Sequence, residues 1–400
     1  MRRVLVTGAG TINALGEGVG ATLAALRAGR SAIGPLDVPD ADRLAAPLGA
    51  AVAGYEAGAR FDRARLALLD RYAQFAVIAA REAMGQAGLA RGDLDPARAG
   101  VVLGTSGGGL GTQDDAYRAV YQAGRDRVHP FTVPRLMNSA AAAHLSMEWD
   151  LRGPSFTVST ACASSNHAIG QAMALIRGGA ADVVLAGGAE AMLCFGGLKA
   201  WEGLRVMSRE ACRPFCATRS GMVQGEGAAV FVLEAEDHAR ARGAAALFEV
   251  AGCAMTSDAA DIVAPDRDGA ERAMRGALRD AGMAPGDVAY VNAHGTGTAA
   301  NDRTEAAAVG AVFGEGGPAV SSTKGAHGHC IGATGAIELL ACLMALRDGA
   351  LAPTAGWREP DPDCAVDLVT GAARTARVEA CLSNAFAFGG ANAVLALRAA

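Results

Sequence analysis

Ser155-Phe-Thr-Val-Ser-Thr-Ala-Cys-Ala-Ser-Ser-Asn-His-Ala-Ile-Gly170 reads as a strand, a tight turn and the opening of a helix. Phe156 to Val158 are β-formers that suit a short buried strand. Apolar residues recur at helical spacing from Ala168 to Ile176, so the pattern predicts a helix starting near Cys162. Ala161, Ala163, Ser164 and Ser165 keep the turn small enough for a substrate to approach the sulfur. A thiol at a helix N-terminus faces unpaired N–H groups and the positive end of the dipole, which predicts a lowered pKa and a thiolate at Cys162. A buried cysteine is more often an inert apolar residue. The rest of the chain decides between these readings.

Upstream, Val4-Leu-Val-Thr-Gly-Ala-Gly10 is predicted to be a strand running into a glycine turn. Asn13 stands where the third glycine of a dinucleotide fingerprint would be, so nucleotide binding is not indicated. The Pro/Ala/Gly-rich stretch from Gly34 to Arg60 reads as irregular surface structure. A helix is predicted from Leu66 to Ala87, closed by Gly88. Val101-Val-Leu-Gly-Thr-Ser106 is a second strand, and the glycine-rich run after it lacks the Lys-Ser/Thr of a P-loop. Asp114 to Ser146 reads as a helical excursion. Asp182 to Glu190 and Ala228 to Glu234 read as buried strands, joined by a looping region from Trp201 to Gly227.

From about Ala244 the pattern repeats. Phe248-Glu-Val-Ala-Gly echoes the opening strand, and Arg275-Gly-Ala-Leu-Arg-Asp-Ala-Gly-Met283 echoes Arg81-Glu-Ala-Met-Gly-Gln-Ala-Gly-Leu89. Val291-Asn-Ala-His-Gly-Thr296 matches Val102-Leu-Gly-Thr105, and Ser321-Ser-Thr-Lys324 enters a glycine-rich turn and an apolar helix as Ser159-Thr-Ala-Cys162 does. This predicts an α/β fold with two similar halves, residues 1–243 and 244–400, built on parallel sheets with helices packed on them. Ligands gather at the carboxyl ends of strands in such sheets, and Cys162, His294 and Lys324 each follow a predicted strand.

Composition narrows the function classes. A chain of 400 residues exceeds what one hydrophobic core supports, consistent with two fused halves. The net charge of −5 gives no electrostatic case for nucleic acid. The apolar run near Met1 is cut by Gly8 and Gly10, so it reads as a strand rather than a signal peptide. No run approaches the ~20 apolar residues of a membrane span, and a cytoplasmic location is expected. Nine cysteines without a C-x-x-C pair suggest neither a disulfide framework nor a zinc ribbon, and Cys212 and Cys216 read as inert core thiols.

Three segments carry the chemistry: Thr160-Ala-Cys-Ala-Ser-Ser165, Asn292-Ala-His-Gly-Thr-Gly-Thr298 and Ser322-Thr-Lys-Gly-Ala-His-Gly-His-Cys-Ile-Gly-Ala-Thr-Gly-Ala-Ile-Glu338. Together they resemble the β-ketoacyl-acyl-carrier-protein synthases of the thiolase superfamily, in the branch that uses one cysteine and two histidines. Cys212-Arg-Pro-Phe215, Gly225-Glu-Gly-Ala-Ala229 and Asn384-Ala-Phe-Ala-Phe-Gly-Gly-Ala-Asn392 extend the likeness nearly end to end. The resemblance implies a thiolase-like fold with layers α-β-α-β-α, and a decarboxylative Claisen condensation of a Cys-bound acyl chain with malonyl carrier protein.

It also implies residue roles. Cys162 is then the nucleophile, and His294 and His329 are the imidazoles stabilising the enolate. The backbone N–H groups of Cys162 and Phe388 form a second oxyanion hole. Lys324 pairs with Glu338 and orders the histidine loop, Thr296 and Thr298 hold the phosphopantetheine arm, and Phe388 gates the acyl chain with Phe386 beside it. No cofactor and no metal are expected, the pantetheine arm being carried by the acyl carrier protein. A homodimer is expected, with a heterodimer of related subunits as the alternative.

Other readings stay open at this level. Phe386 and Phe388 at period-2 spacing fit a core equally well. His327-Gly-His329-Cys330 is spaced like metal ligands but lacks an obvious fourth partner. A degradative thiolase would carry a second cysteine near the C-terminus, where this chain has Phe388-Gly-Gly, and a non-catalytic partner subunit would lack Cys162. Cys216, Ser220, Met222 and Ala391 depart from the common family pattern. The stretch Asp62-Arg-Ala-Arg-Leu-Ala-Leu-Leu-Asp70 is also less basic than the carrier-protein docking surface of fatty-acid enzymes. Both features leave room for a specialised polyketide, polyene or unusual acyl product.

Overall fold

A computed structural model describes residues 2–400, Met1 lying outside them. The first half contributes β1 (Val4–Asn13), β2 (Ala99–Gly104), β3 (Ser155–Val158), β4 (Val183–Glu190) and β5 (Gly227–Ala235). The second contributes β6 (Phe248–Ser257), β7 (Tyr290–Asn292), β8 (Ala319–Ser321), β9 (Ala380–Phe386) and β10 (Ala391–Arg398). Across the sheet the order is β3-β2-β4-β5-β1-β6-β10-β9-β7-β8. Read outward from the β1–β6 seam, each half runs first, fifth, fourth, second, third. Directions repeat as well: β2 is parallel to β3 and β4, as β7 is to β8 and β9. In contrast, β5 and β10 are antiparallel to both neighbours. The echo in the sequence is therefore a duplication of topology.

The expectation of parallel sheets holds for three strands of each half and fails for the other two. Only residues 387–390 join β9 to β10, and so short a link can make only an antiparallel pair. The opening strand differs as well, since β1 continues through its glycines to Asn13 without a turn. A Cβ on Gly8 or Gly10 would lie 2.1 Å from Ala83 O or 2.0 Å from Ala79 O. The glycines are there to let a helix approach the strand closely.

The helices that build the layers are α1 (Val19–Arg27), α2 (Arg71–Gln86), α3 (Ala140–Trp149), α4 (Ser164–Arg177), α5 (Arg267–Ala281), α6 (Ala299–Phe313) and α7 (Thr334–Asp348). The stretch predicted as one helix from Leu66 is two. Asp62 caps a short turn over Arg63–Leu66, and Asp70 caps α2 by accepting from Tyr72 N–H at 3.1 Å. The Gly34–Arg60 stretch also holds two short strands, Gly34–Pro35 and Leu48–Ala50, which pair with each other. Helices α2 and α3 cover the outer face of the first half, and α5 and α6 cover that of the second. Between the halves lie α4 and α7, with Ile169, Met173 and Ile176 meeting Ile337, Leu340 and Met344 over Phe231 and Phe248. Thr334 to Ala345 of α7 are all buried, as expected of a helix with sheet on both sides. This is the α-β-α-β-α layering, and it brings the ends of β3, β7 and β8 together above the central helices.

The glycine reading yields a paired test. Gly10→Ala pushes a methyl group into the α2 backbone and should lower stability by about 1–3 kcal/mol or more. Gly20→Ala, in α1 with nothing within 4 Å of the added carbon, should be neutral or stabilising by up to ~1 kcal/mol. Thermal unfolding of the two variants checks this. Equal loss in both would refute the close-approach explanation.

Candidate active site

Cys162 lies in a single 3₁₀ turn, Ala161–Ala163, between β3 and α4. The second half repeats this elbow at Ile331–Ala333, ahead of α7, with Gly332 in the position of the cysteine. Both elbows are entered in the left-handed region, Ala161 at φ 47° and Ile331 at φ 43°. For a β-branched residue that is a genuine outlier, maintained by the surrounding packing. The elbows face one another. Ile331 packs on Cys162, and Ser165 Oγ donates to Gly332 O.

His329 arrives on the loop between β8 and the second elbow. Its Nε2 is 3.1 Å from Cys162 Sγ. Its Nδ1 accepts the N–H of Ile331 at 3.2 Å and lies 2.8 Å from Thr334 Oγ1. A ring nitrogen that accepts carries no proton, so the neutral ring holds its proton on Nε2, pointing at the sulfur. His294 follows β7 and is clamped by its own main chain. Its N–H and that of Gly295 donate to Glu305 at 2.8 and 2.7 Å, while Lys324 Nζ donates to its carbonyl. The two rings meet edge to face, centroids 5.4 Å apart and planes at 81°. The donor atoms of Cys162, His294 and His329 all lie within 4.8 Å of one another. Such a trio suits zinc by ligand type. With Nε2 of His329 protonated, however, it is arranged as a hydrogen-bond donor beside a thiol. His327 turns elsewhere, its Nε2 2.8 Å from Thr323 Oγ1, so the H-x-H-C segment does not converge.

Burial corrects the expected thiolate. It pushes the Cys162 thiol up to about 12, against the opposing pull of the Lys324 charge. Removing the sulfur from water outweighs the N-terminal dipole, an effect of up to ~2 kcal/mol in a partly buried site. Burial, Lys324 and His329 hold His294 well below its usual range, and burial, Lys324 and His327 do the same to His329, so both rings are neutral. Lys324 and Glu338 are both fully buried, 2.6 Å apart. Burial pushes the Glu338 carboxyl up to about 7 even with the ammonium alongside.

An apolar cavity of about 110 Å³ opens onto Cys162, His294 and His329. Thr296 and Thr298 line it with their hydroxyls 2.8 Å apart. Phe386 lies at its wall, 6.1 Å from the His294 ring, and Phe388 stacks on Trp201 at 5.9 Å. All nine residues singled out from the sequence therefore lie in or directly behind one site. Three buried acids were not singled out. Glu305 holds the His294 main chain, Asp302 accepts from Phe215 N–H and Gly297 N–H, and Glu190 accepts from four donors near the second elbow. Asp302 and Glu305 did leave a signal: two acids one turn apart on the helix following Gly-Thr-Gly-Thr. Glu190 left none beyond ending a buried strand. All nine cysteines are free.

Comparison with known proteins agrees with this geometry. The family model "Beta-ketoacyl synthase, N-terminal domain" matches residues 1–239, and "Beta-ketoacyl synthase, C-terminal domain" matches residues 247–358. The chain is 47% identical over 399 residues to Nodulation protein E of a Rhizobium species, covering 99% of each. It is 38% identical over 407 residues to 3-oxoacyl-[acyl-carrier-protein] synthase 2 of a Synechocystis species, covering 99% of this chain and 98% of the relative. Among solved structures, the ishigamide ketosynthase/chain length factor superposes with a TM-score of 0.95 at 37% identity, over 100% of this chain and 99% of the other. In sequence from end to end and in fold, the chain belongs to the beta-ketoacyl synthase family and is an acyl-transferring condensing enzyme.

Proposed function

We propose that Cys162, His294 and His329 carry out a decarboxylative Claisen condensation between an acyl group held on the sulfur and a malonyl group on acyl carrier protein. The observation that carries this reading is the Nε2–H of His329, 3.1 Å from Cys162 Sγ, both residues lining the cavity. In the first step the Cys162 sulfur attacks the acyl thioester. The pantetheine sulfur leaves with the thiol's proton, so one thiol replaces another. The backbone N–H groups of Cys162 and Phe388 are assigned to the oxygen of that tetrahedral adduct.

Malonyl thioester then enters past Thr296 and Thr298, whose hydroxyls suit the amides of the pantetheine arm. Its carboxylate carbon leaves as CO2, and the bonding electrons pass to the α-carbon and thioester oxygen as an enolate. Neutral imidazoles stabilise that oxygen as hydrogen-bond donors, and a buried site strengthens each such bond. The enolate carbon attacks the acyl–Cys162 carbonyl and the sulfur departs as a thiolate that regains a proton from water, leaving a β-ketoacyl chain two carbons longer. Lys324 and Glu338 support the histidine loop, while Phe386 and Phe388 shape the acyl entrance. The chemistry uses no cofactor or metal. The functional division lies near residues 243–244, the nucleophile in one half and both histidines in the other.

Relatives named for nodulation and for ishigamide, together with Cys216, Met222 and Ala391, favour a specialised acyl product over bulk fatty-acid elongation. The partner is an acyl carrier protein. Tyr121 and Val133 on the excursion, Met147 on α3 and Phe156 on the edge strand β3 are all exposed, which supports pairing with a second copy there. A ketosynthase-like second subunit is the alternative, supported by the chain length factor in the named structural relative.

Product mass spectrometry with malonyl carrier protein and a panel of acyl carrier proteins tests this. Wild type should give a product two carbons longer, and Cys162→Ala none. Product from Cys162→Ala would sink the mechanism, and activity only with an added second subunit would select the heterodimer. His294→Ala and His329→Ala should each lower turnover by roughly 10²–10³-fold, as expected for losing one oxyanion donor. The raised thiol pKa sets the pH response. The thiolate is the minor form at neutrality, so Cys162 alkylation by iodoacetamide should accelerate continuously up to pH 9. A plateau near pH 7 would mean that the dipole prevails over burial.

A further inference from the structure

Glu190, the last residue of β4, is fully buried and has no part in the reaction described above. Its Oε1 accepts from Thr105 Oγ1 and Gly107 N–H, both at 3.0 Å, and its Oε2 accepts from Ser106 N–H at 2.7 Å and Gly332 N–H at 3.0 Å. Thr105 Oγ1 itself accepts from Gly108 N–H at 3.2 Å, which leaves its proton for the carboxylate. All four partners are donors, three of them main-chain groups that cannot accept. These four donors match a carboxylate, held by oriented peptide dipoles without a cation, and they oppose the burial that pushes this carboxyl up to about 7. Three of the donors belong to the loop after β2. The fourth belongs to the second elbow, beneath the nucleophile.

That fourth contact leads to the chemistry in three steps. Gly332 is gripped from both sides, its N–H by Glu190 and its carbonyl by Ser165 Oγ. A Cβ there would lie 2.4 Å from Ser106 N and 2.7 Å from Glu190 Oε2, so only glycine fits under the carboxylate. The grip fixes the peptide after Ile331, whose left-handed backbone would otherwise relax. In that conformation the Ile331 N–H points at His329 Nδ1, and this hydrogen bond leaves the proton on Nε2, facing Cys162.

We propose that Glu190 is a positioning residue for the condensation: by holding the Ile331–Gly332 turn it fixes the tautomer of His329, keeping a donor on the reacting side of the ring. The proposal rests on the assignment of His329 above. Without the Ile331 N–H the ring's remaining neighbour does not suffice, because the Thr334 hydroxyl on Nδ1 can donate or accept and so tolerates either tautomer.

The test is nitrogen-15 NMR of the histidine ring nitrogens in the whole protein, with His329 assigned by its absence in His329→Gln, alongside steady-state kinetics. In wild type the His329 shifts should report a proton on Nε2 only. Glu190→Gln turns an amide NH2 toward main-chain N–H groups and should give mixed tautomers. It should lower kcat by roughly 10- to 100-fold with little change in KM, as for a small misplacement remote from the chemistry. Glu190→Asp, which keeps the charge, should recover part of both. Should Glu190→Gln fail to fold, Ser165→Ala removes the other grip on Gly332 and should move the tautomer and kcat in the same direction. A folded Glu190→Gln or Ser165→Ala that keeps the Nε2 proton overturns the proposal. The ring shifts are read without substrate. A shifted tautomer in an enzyme whose wild type makes no product would therefore refute the proposed reaction and leave the positioning role standing.

Discussion

Lys324 and Glu338 form an ion pair 2.6 Å long that water does not reach, and much of the site depends on it. A buried charge must be matched by its surroundings, since an unmatched one is among the most destabilising features a fold can carry. Lys324 meets this requirement with Glu338 on α7 and with the main-chain carbonyl of His294. One ammonium thus joins the loop after β7, the loop after β8 and the central helix. Its charge also helps keep both histidines neutral.

Desolvation recurs throughout the site as the deciding effect. It raises the thiol, lowers the imidazoles and makes each hydrogen bond to the reacting atoms stronger than it would be in water. It also means that polar groups behind the first layer must be satisfied by the chain itself. Glu305, Asp302 and Glu190 do this for main-chain N–H groups of the catalytic loops. Each is an acid buried with several donors, which is how a loop of irregular backbone is held at the bottom of a cleft.

Duplication explains why the site lies where it does. Two copies of one topology place two strand–turn–helix elbows face to face across the central helices. In one copy the turn carries Cys162. In the other it carries Gly332, and the loop before it supplies Lys324 and His329. One elbow carries the thiol, and the other packs against it. Both elbows are entered through a residue in the left-handed region, Ala161 in the first and Ile331 in the second.

Residue order alone was enough to read the echoed strand and helix motifs, the strand–turn–helix around Cys162, and the placing of His294 and Lys324 at strand ends. These depend on local periodicity and on glycines, which act over a few residues. The mixed direction of the sheet, the continuation of β1 through Gly8 and Gly10, and the separate capping at Asp62 and Asp70 were not legible. They depend on what packs against each segment. The same holds for the protonation of the site. Cys162 at a helix start looks like a thiolate from its neighbours in sequence, and only the enclosure of the sulfur by residues from Met192, Met222 and Ile331 reverses that. Glu190 was invisible for the same reason. Its role comes from a contact 142 residues along the chain, and only the packed structure makes that contact local.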